Sequence, residues 1–390
     1  MNTAAHENLE QEAIAALRVG DGRKAREVFE RVVSTGQASA SSWLGLAVAC
    51  AQLGDNVATL TAVEKSLELE PQNIRAIIFK ADHLEKQGES RQALEYYGNA
   101  LRLASQIGTL PDDVKQGLLR AQKVCGQKEE EYKSYLMQKL TSDGFSPTPS
   151  NRRFQESLDV LLGIKDVSYQ QQLQQPRRYY FPGLPEIQFY DRGQFDWVET
   201  IESATDEIRS ELAPIMSDPS KFTPYLQSDT AHLTRAVASL VESTDWGALF
   251  LWDYGRLVPE AATLFPKTIE ALKAAPVPEI SGQAPMALFS KLAPGTKIPP
   301  HNGLLNTRLI CHLPIIVPES CGALRVGNEE RPWVEGEMLI FNDSIEHAAW
   351  NLSTEERVVI LFEVWRPELS EEERGLVTSM LMAVREYFTE

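Results

Sequence analysis

Through about residue 140 the apolar positions recur three and four apart, the spacing that lines one face of a helix. Gly20-Asp21, Gly54-Asp55 and Gly88-Glu89 return at intervals of 34 residues, a period that marks a two-helix repeat. On that frame Ala25, Thr59 and Ala93 fall five residues after each glycine, and Phe29, Val63 and Tyr97 nine after. Small side chains then sit where helices approach, and large ones fill the gap. Trp43 stands near the start of the second unit and Pro71 ends it, because proline lacks the N–H that a helix interior needs. Helical spacing continues over residues 108–165, strongest at Asp112 to Val124 and Lys128 to Leu140 and interrupted by a loop at Ser146-Pro147-Thr148-Pro149-Ser150. Ser168 to Arg178, with its glutamine run and Pro176, reads as a linker.

Beyond Tyr179 the pattern changes to short β-rich stretches, and six of the seven tryptophans fall there. Strands are predicted at Ala287 to Leu292, Thr307 to Val317, Ala323 to Val326, Met338 to Phe341, Ala348 to Asn351 and Val358 to Val364. Helices are predicted at Asp196 to Leu212, Thr230 to Leu240 and Leu257 to Ala274. Turns of Pro-Gly, Gly-Asn and Glu-Gly between short strands suggest a double-sheet barrel of the jelly-roll or cupin kind. The expected fold class is α+β and multidomain: an N-terminal α-helical repeat solenoid over residues 6–107, a helical extension and linker over 108–178, a β barrel with flanking helices over 179–369 and a C-terminal helix over 370–390. The repeats resemble tetratricopeptide repeats. Such units bury their faces by stacking, which leaves a groove suited to a peptide or protein partner; a purely structural spacer is the alternative.

Composition narrows the choice further. With 43% hydrophobic and 24% charged residues the chain matches an ordinary globular protein. The balance of 38 basic against 55 acidic residues, a formal charge of −17, repels polyphosphates and argues against a nucleic-acid partner. Cys50, Cys125, Cys311 and Cys321 form no C-x-x-C pair, as expected of reduced thiols. The N-terminal residues show no secretory pattern and no long apolar run occurs, so the expectation is a cytoplasmic protein with no membrane partner.

Three of the six histidines, His301, His312 and His347, cluster in the β region, whereas His6, His83 and His232 are dispersed. Imidazole is the commonest ligand for iron, copper and zinc, although a single histidine in a strand is more often a hydrogen-bonded core residue. Arg357 follows on a strongly β stretch; turned into an apolar barrel, its guanidinium needs an anion, and a carboxylate fits its fork. Arg308, Ile310 and His312 alternate and share one strand face, either lining a pocket with Leu309, Cys311 and Leu313 behind them or pointing outward. Trp350, Phe341 and Leu361 are candidates for the pocket wall or for plain core.

The run His301-Asn302-Gly303-Leu304-Leu305-Asn306-Thr307-Arg308-Leu309-Ile310-Cys311-His312, with Gly322-Ala323-Leu324-Arg325-Val326, Trp333-Val334-Glu335-Gly336-Glu337, Phe341-Asn342-Asp343-Ser344-Ile345-Glu346-His347 and Arg357, resembles the aspartyl/asparaginyl β-hydroxylases. These are iron(II)- and 2-oxoglutarate-dependent oxygenases on a double-stranded β-helix, and helical repeats precede the domain in animal members. The resemblance implies that His301 and His347 hold iron(II), that Arg357, Ser290 and His312 hold 2-oxoglutarate, that Arg308 faces the substrate, and that O2 is consumed to hydroxylate an aspartyl- or asparaginyl-like β-carbon in a peptide, protein or amino-acid-derived substrate. Gly303 stands where most such oxygenases carry a ligating carboxylate, an absence the family shares and one that leaves room for a halide. Ile310 departs from the family, which commonly has a second arginine there. A non-catalytic binding protein, a halogenase and a zinc cupin using His301, His312 and His347 are the alternative readings.

Overall fold

The computed structural model describes residues 3–36, 38–167, 172–227 and 239–389. The chain divides into two compact units, Met1–Ser134 and Tyr135–Glu390. The first is built from helical hairpins: α1 (Thr3–Arg18) with α2 (Gly22–Val33), α3 (Ala40–Gln52) with α4 (Asn56–Leu69), and α5 (Ile74–Lys86) with α6 (Ser90–Ala104). The recurring glycines make the turns inside these hairpins. Gly20, Gly54 and Gly88 have φ of 75°, 75° and 83°, left-handed values that glycine adopts without the Cβ penalty. Asp21 and Asp55 then cap the next helix by accepting from the backbone N–H of Lys24 and Ala58. Ala25, Thr59 and Ala93 are fully buried, as the period requires, and Phe29, Val63 and Tyr97 lie beside them in the core. A Cβ on Gly45 would overlap the Phe29 ring, so that glycine is what lets α2 and α3 close together. The long helix α7 (Asp112–Ser142) is one element and not two. Gly126 costs a helix interior only about 1 kcal/mol, too little to break one of this length.

The second unit continues with α8 (Arg152–Leu161), β1 (Phe189–Tyr190), α9 (Val198–Glu202), α10 (Thr205–Met216), β2 (Thr223–Pro224), β3 (Trp246–Asp253), β4 (Arg256–Leu257), α11 (Pro259–Leu264) and α12 (Pro266–Leu272). Then follow β5 (Ala287–Leu292), β6 (Lys297–His301), β7 (Arg308–Ile316), β8 (Ala323–Val326), β9 (Glu329–Pro332), β10 (Leu339–Phe341), β11 (His347–Trp350), β12 (Arg357–Trp365) and α13 (Glu371–Thr389). The helix expected over Asp196 to Leu212 is two, broken between Glu202 and Thr205. That expected over Leu257 to Ala274 is also two: Leu257 belongs to β4 and Pro266 starts a new helix at a position where its missing N–H does no harm. Most of the helix expected over Thr230 to Leu240, with His232, lies outside the described residues, as do Gln170 and Gln171 of the linker.

One sheet runs β1-β10-β7-β12-β5-β3-β2 with β4 attached to β3, and a second runs β6-β11-β8-β9. Among the described residues the two sheets do not join into a closed barrel. Alternation on β12 sorts its side chains: Val358, Ile360, Phe362 and Val364 enter a core with Ile201, Ile208, Leu212, Ala261 and Leu272 of the helices. Val359 and Leu361 enter a second core with Ile298, Leu324, Val326 and Ala349 of the smaller sheet. Every residue of β12 is buried, as a strand covered on both faces must be. On β7, Leu309, Cys311 and Leu313 join the helix-side core while Ile310 joins the inter-sheet core, so Arg308, Ile310 and His312 look inward. His301 is delivered by strand β6, whose two prolines are tolerated because it lies at a sheet edge.

Candidate functional site

His301 ends β6 and His347 begins β11, and the two are direct partners across the antiparallel pair. Their ring centroids are 4.1 Å apart. Each ring is oriented by a backbone carbonyl two residues earlier. Nδ1 of His301 is 2.8 Å from the Pro299 oxygen and Nδ1 of His347 is 3.0 Å from the Ile345 oxygen. A carbonyl only accepts, so each Nδ1 carries the hydrogen and each Nε2 keeps its lone pair. Burial pushes both pKa values down to about 4, helped at His301 by the neighbouring His347. Both imidazoles are therefore neutral near pH 7, the form that ligates metal.

Arg357 opens β12, is 1% exposed, and its Nε and Nη1 have no hydrogen-bond partner. Its guanidinium lies 4.6 Å from the Trp333 ring centroid. Burial lowers its pKa to about 10, and an incoming anion would satisfy a cation held in this way. Ser290 on β5 pairs with Val359, two residues along from Arg357, so it shares that face. Its hydroxyl accepts from Trp246 Nε1 at 3.2 Å. His312 is buried, its Nδ1 has no partner, and burial followed by the charge of Arg357 drives its pKa well below the ordinary value. One cavity of about 590 Å³ is lined by all six residues singled out in the sequence: His301, His347, Arg357, Ser290, His312 and Arg308. Phe341 and Leu361 also line it. Trp350 does not; its ring occupies the space beside Gly322.

Two buried acids were not foreseen. Asp343 follows β10, and its carboxylate fills the space that a Cβ on Gly303 would need, while its carbonyl accepts from Gly303 N–H at 2.7 Å. Burial raises its pKa, opposed by Arg308, whose Nη2 lies 3.5 Å away. Glu363, on the inward face of β12, pairs with Nη1 of Arg308 and accepts from the backbone N–H of Met286 at 3.1 Å. Alternation from Arg357 through Val359 and Leu361 was the available signal for Glu363. Asp343 carried only its place in the turn four residues before His347.

Among the described residues no group of three or more His, Cys, Asp and Glu side chains is arranged to hold a metal. The Nε2 lone pairs of the paired imidazoles and the unpartnered nitrogens of Arg357 and His312 line the same cavity, a set of groups that would suit a metal and a carboxylate.

A helical-repeat unit followed by a β-rich unit whose paired histidines and buried arginine share one cavity defines a class. Residues 202–367 match the family model described as aspartyl/asparaginyl beta-hydroxylase, and residues 11–74 match a tetratricopeptide repeat model. The β-rich unit is thus similar to the aspartyl/asparaginyl β-hydroxylases over residues 202–367, and the helical unit to tetratricopeptide repeats over residues 11–74. It is 36% identical over 137 residues to the aspartyl/asparaginyl beta-hydroxylase of Homo sapiens, covering 35% of this chain and 18% of that protein. It is 33% identical over 187 residues to an ornithine lipid ester-linked acyl 2-hydroxylase of Rhizobium tropici, covering 47% of this chain and 62% of that one. To aspartate beta-hydroxylase domain-containing protein 2 of Homo sapiens it is 30% identical over 207 residues, 52% of this chain and 53% of that protein. The matched stretch is less than two thirds of each relative's length.

Proposed function

We propose that the β-rich unit is an iron(II)- and 2-oxoglutarate-dependent dioxygenase that hydroxylates an aspartyl- or asparaginyl-like β-carbon in a peptide, protein or amino-acid-derived substrate. The two facing sheets are read as a double-stranded β-helix of the jelly-roll or cupin kind. The observation that carries the proposal is the buried, unpartnered guanidinium of Arg357 in the cavity that holds the two Nε2 donors. His301 and His347 would hold the metal, and Arg357 with Ser290 and His312 the cosubstrate. Iron(II) with bound 2-oxoglutarate supplies the oxidising power of O2 for C–H hydroxylation, with succinate and CO2 as co-products.

The chain's own contribution is positioning. The Pro299 and Ile345 carbonyls fix the tautomer and orientation of the two imidazoles. Arg357 receives one carboxylate of the diacid, and the Trp333 face screens it from water. Leu361, Phe341 and Ile310 keep the cavity apolar around the reacting carbon. The Asp343 carboxylate occupies the space beside Gly303 that a halide would take, which favours hydroxylation over halogenation. A zinc cupin or a purely non-catalytic barrel leaves Arg357 without a role. The repeats are assigned to recognising a peptide or protein partner, and the protein to the cytoplasm.

The test is anaerobic reconstitution with iron(II) and 2-oxoglutarate. A weak visible charge-transfer band, and succinate release once O2 is admitted, are the expected results; a protein that binds neither iron(II) nor 2-oxoglutarate refutes the proposal.

A further inference from the structure

The inward faces of β7 and β12 meet residue by residue in the cavity, Ile310 opposite Glu363 and Arg308 opposite Trp365. Arg308 is the side chain set at the substrate end by the resemblance, yet it is not a free cation. Nη1 is paired with Glu363, whose side chain is 3% exposed, and Nη2 is 3.5 Å from Asp343. The Met286 N–H fixes the other oxygen of Glu363. Glu363 alone cancels the charge of Arg308, so the cluster offers no net positive charge in either protonation state of Asp343. Two positions along the strand, Ile310 presents only methyl and methylene groups. Phe250, Met286, Leu361 and Trp365 extend the apolar wall. Apart from Arg357, the other lining cations among the described residues, Arg177, Arg178 and Arg385, are exposed to solvent, where salt screens them.

We infer that the substrate group seated in this cavity is uncharged, a carboxamide or an aliphatic chain, and that a carboxylate such as an aspartate side chain is excluded. Nε of Arg308 has no partner, but a carboxylate drawn to it meets a guanidinium whose charge Glu363 already cancels, and taking Arg308 from Glu363 instead leaves that acid buried without its partner, which is the costly way to break an ion pair. The inference rests on the proposed oxygenase reading, since that reading assigns the other buried cation, Arg357, to the cosubstrate.

The experiment uses the whole chain with iron(II) and 2-oxoglutarate under nitrogen, titrated with the N-methylamides of N-acetyl-asparagine, N-acetyl-leucine and N-acetyl-aspartate. Binding is read by calorimetry and saturation-transfer NMR. At least one neutral probe binds, and the aspartate probe binds at least about tenfold more weakly. Ile310→Arg reverses that order, and Glu363→Gln raises aspartate affinity about tenfold by freeing Arg308. If Glu363→Gln does not fold, Ile310→Arg and the wild-type selectivity carry the test. An aspartate probe binding the wild type as tightly as the better neutral one overturns the inference, and so does the absence of neutral-probe binding to protein that has bound 2-oxoglutarate. Failure to bind 2-oxoglutarate at all overturns the oxygenase reading instead.

Discussion

Replacing Arg357 by methionine should make the metal-free protein more stable and nearly abolish its affinity for 2-oxoglutarate. Burial lowers the guanidinium pKa from its ordinary value to about 10, which corresponds to roughly 3 kcal/mol against the charged form. The Trp333 face returns part of this, about 0.5–2 kcal/mol for a cation over an aromatic ring. A methionine fills much of the same volume with no charge to desolvate, so a net gain of about 1–2 kcal/mol follows. For a unit of this size that raises Tm by about 2–8 °C. The diacid, in contrast, loses two charge-assisted hydrogen bonds of about 1.5–3 kcal/mol each, and its Kd should rise at least about 100-fold. Differential scanning calorimetry of the apo protein and anaerobic titration of 2-oxoglutarate measure the two effects. Iron(II) binding should stay within about threefold of wild type, because neither imidazole touches the guanidinium. An apo protein destabilised by Arg357→Met, or an unchanged 2-oxoglutarate Kd, would refute the view that the arginine is stored unpaired for an anion.

The same geometry yields three further expectations. His301→Ala or His347→Ala should each lower iron(II) affinity by at least about 100-fold while far-UV circular dichroism stays as in wild type; unaltered affinity contradicts the ligand assignment. Because both imidazoles titrate at about 4 in the folded state and near 6.5 when unfolded, the unfolded chain takes up protons first as pH falls. Their contribution to apo stability is complete above pH 6.5 and is lost as pH drops toward 4, so urea midpoints should decline across that window, and a midpoint flat from pH 7 to 4.5 counts against it. Gly303→Ala pushes a Cβ into the Asp343 carboxylate and should destabilise by about 1–3 kcal/mol. The loss should shrink in an Asp343→Ala background, and strictly additive effects in that double-mutant cycle would show the two residues do not meet.

Much of this molecule is legible in its sequence. The 34-residue return of Gly20, Gly54 and Gly88 announced the helical hairpins, since only a residue without Cβ sits easily at φ near +75°. Strands β5, β7, β8 and β12 emerge within a residue or so of their predicted ends because turn residues bound these apolar-rich stretches. Strand β3 was missed: Trp246–Asp253 is a nearly continuous apolar run whose buried and half-buried positions do not alternate. The breaks after Glu202 and at Pro266 were missed where helical spacing carried on across them.

Sequence alone determined the period of the repeats, the alternation that turns Arg308, Ile310 and His312 to one face, and the residue types able to hold a metal and a diacid. Those are local properties of helix and strand geometry. Which acids join them was decided by tertiary structure. Asp343 meets Gly303 only because the turn after β10 folds over the end of β6, and Glu363 reaches Arg308 only because β12 lies beside β7 in one register. Pairings between distant segments depend on sheet order, which no single stretch of chain encodes, and that order sets Glu363 against Arg308.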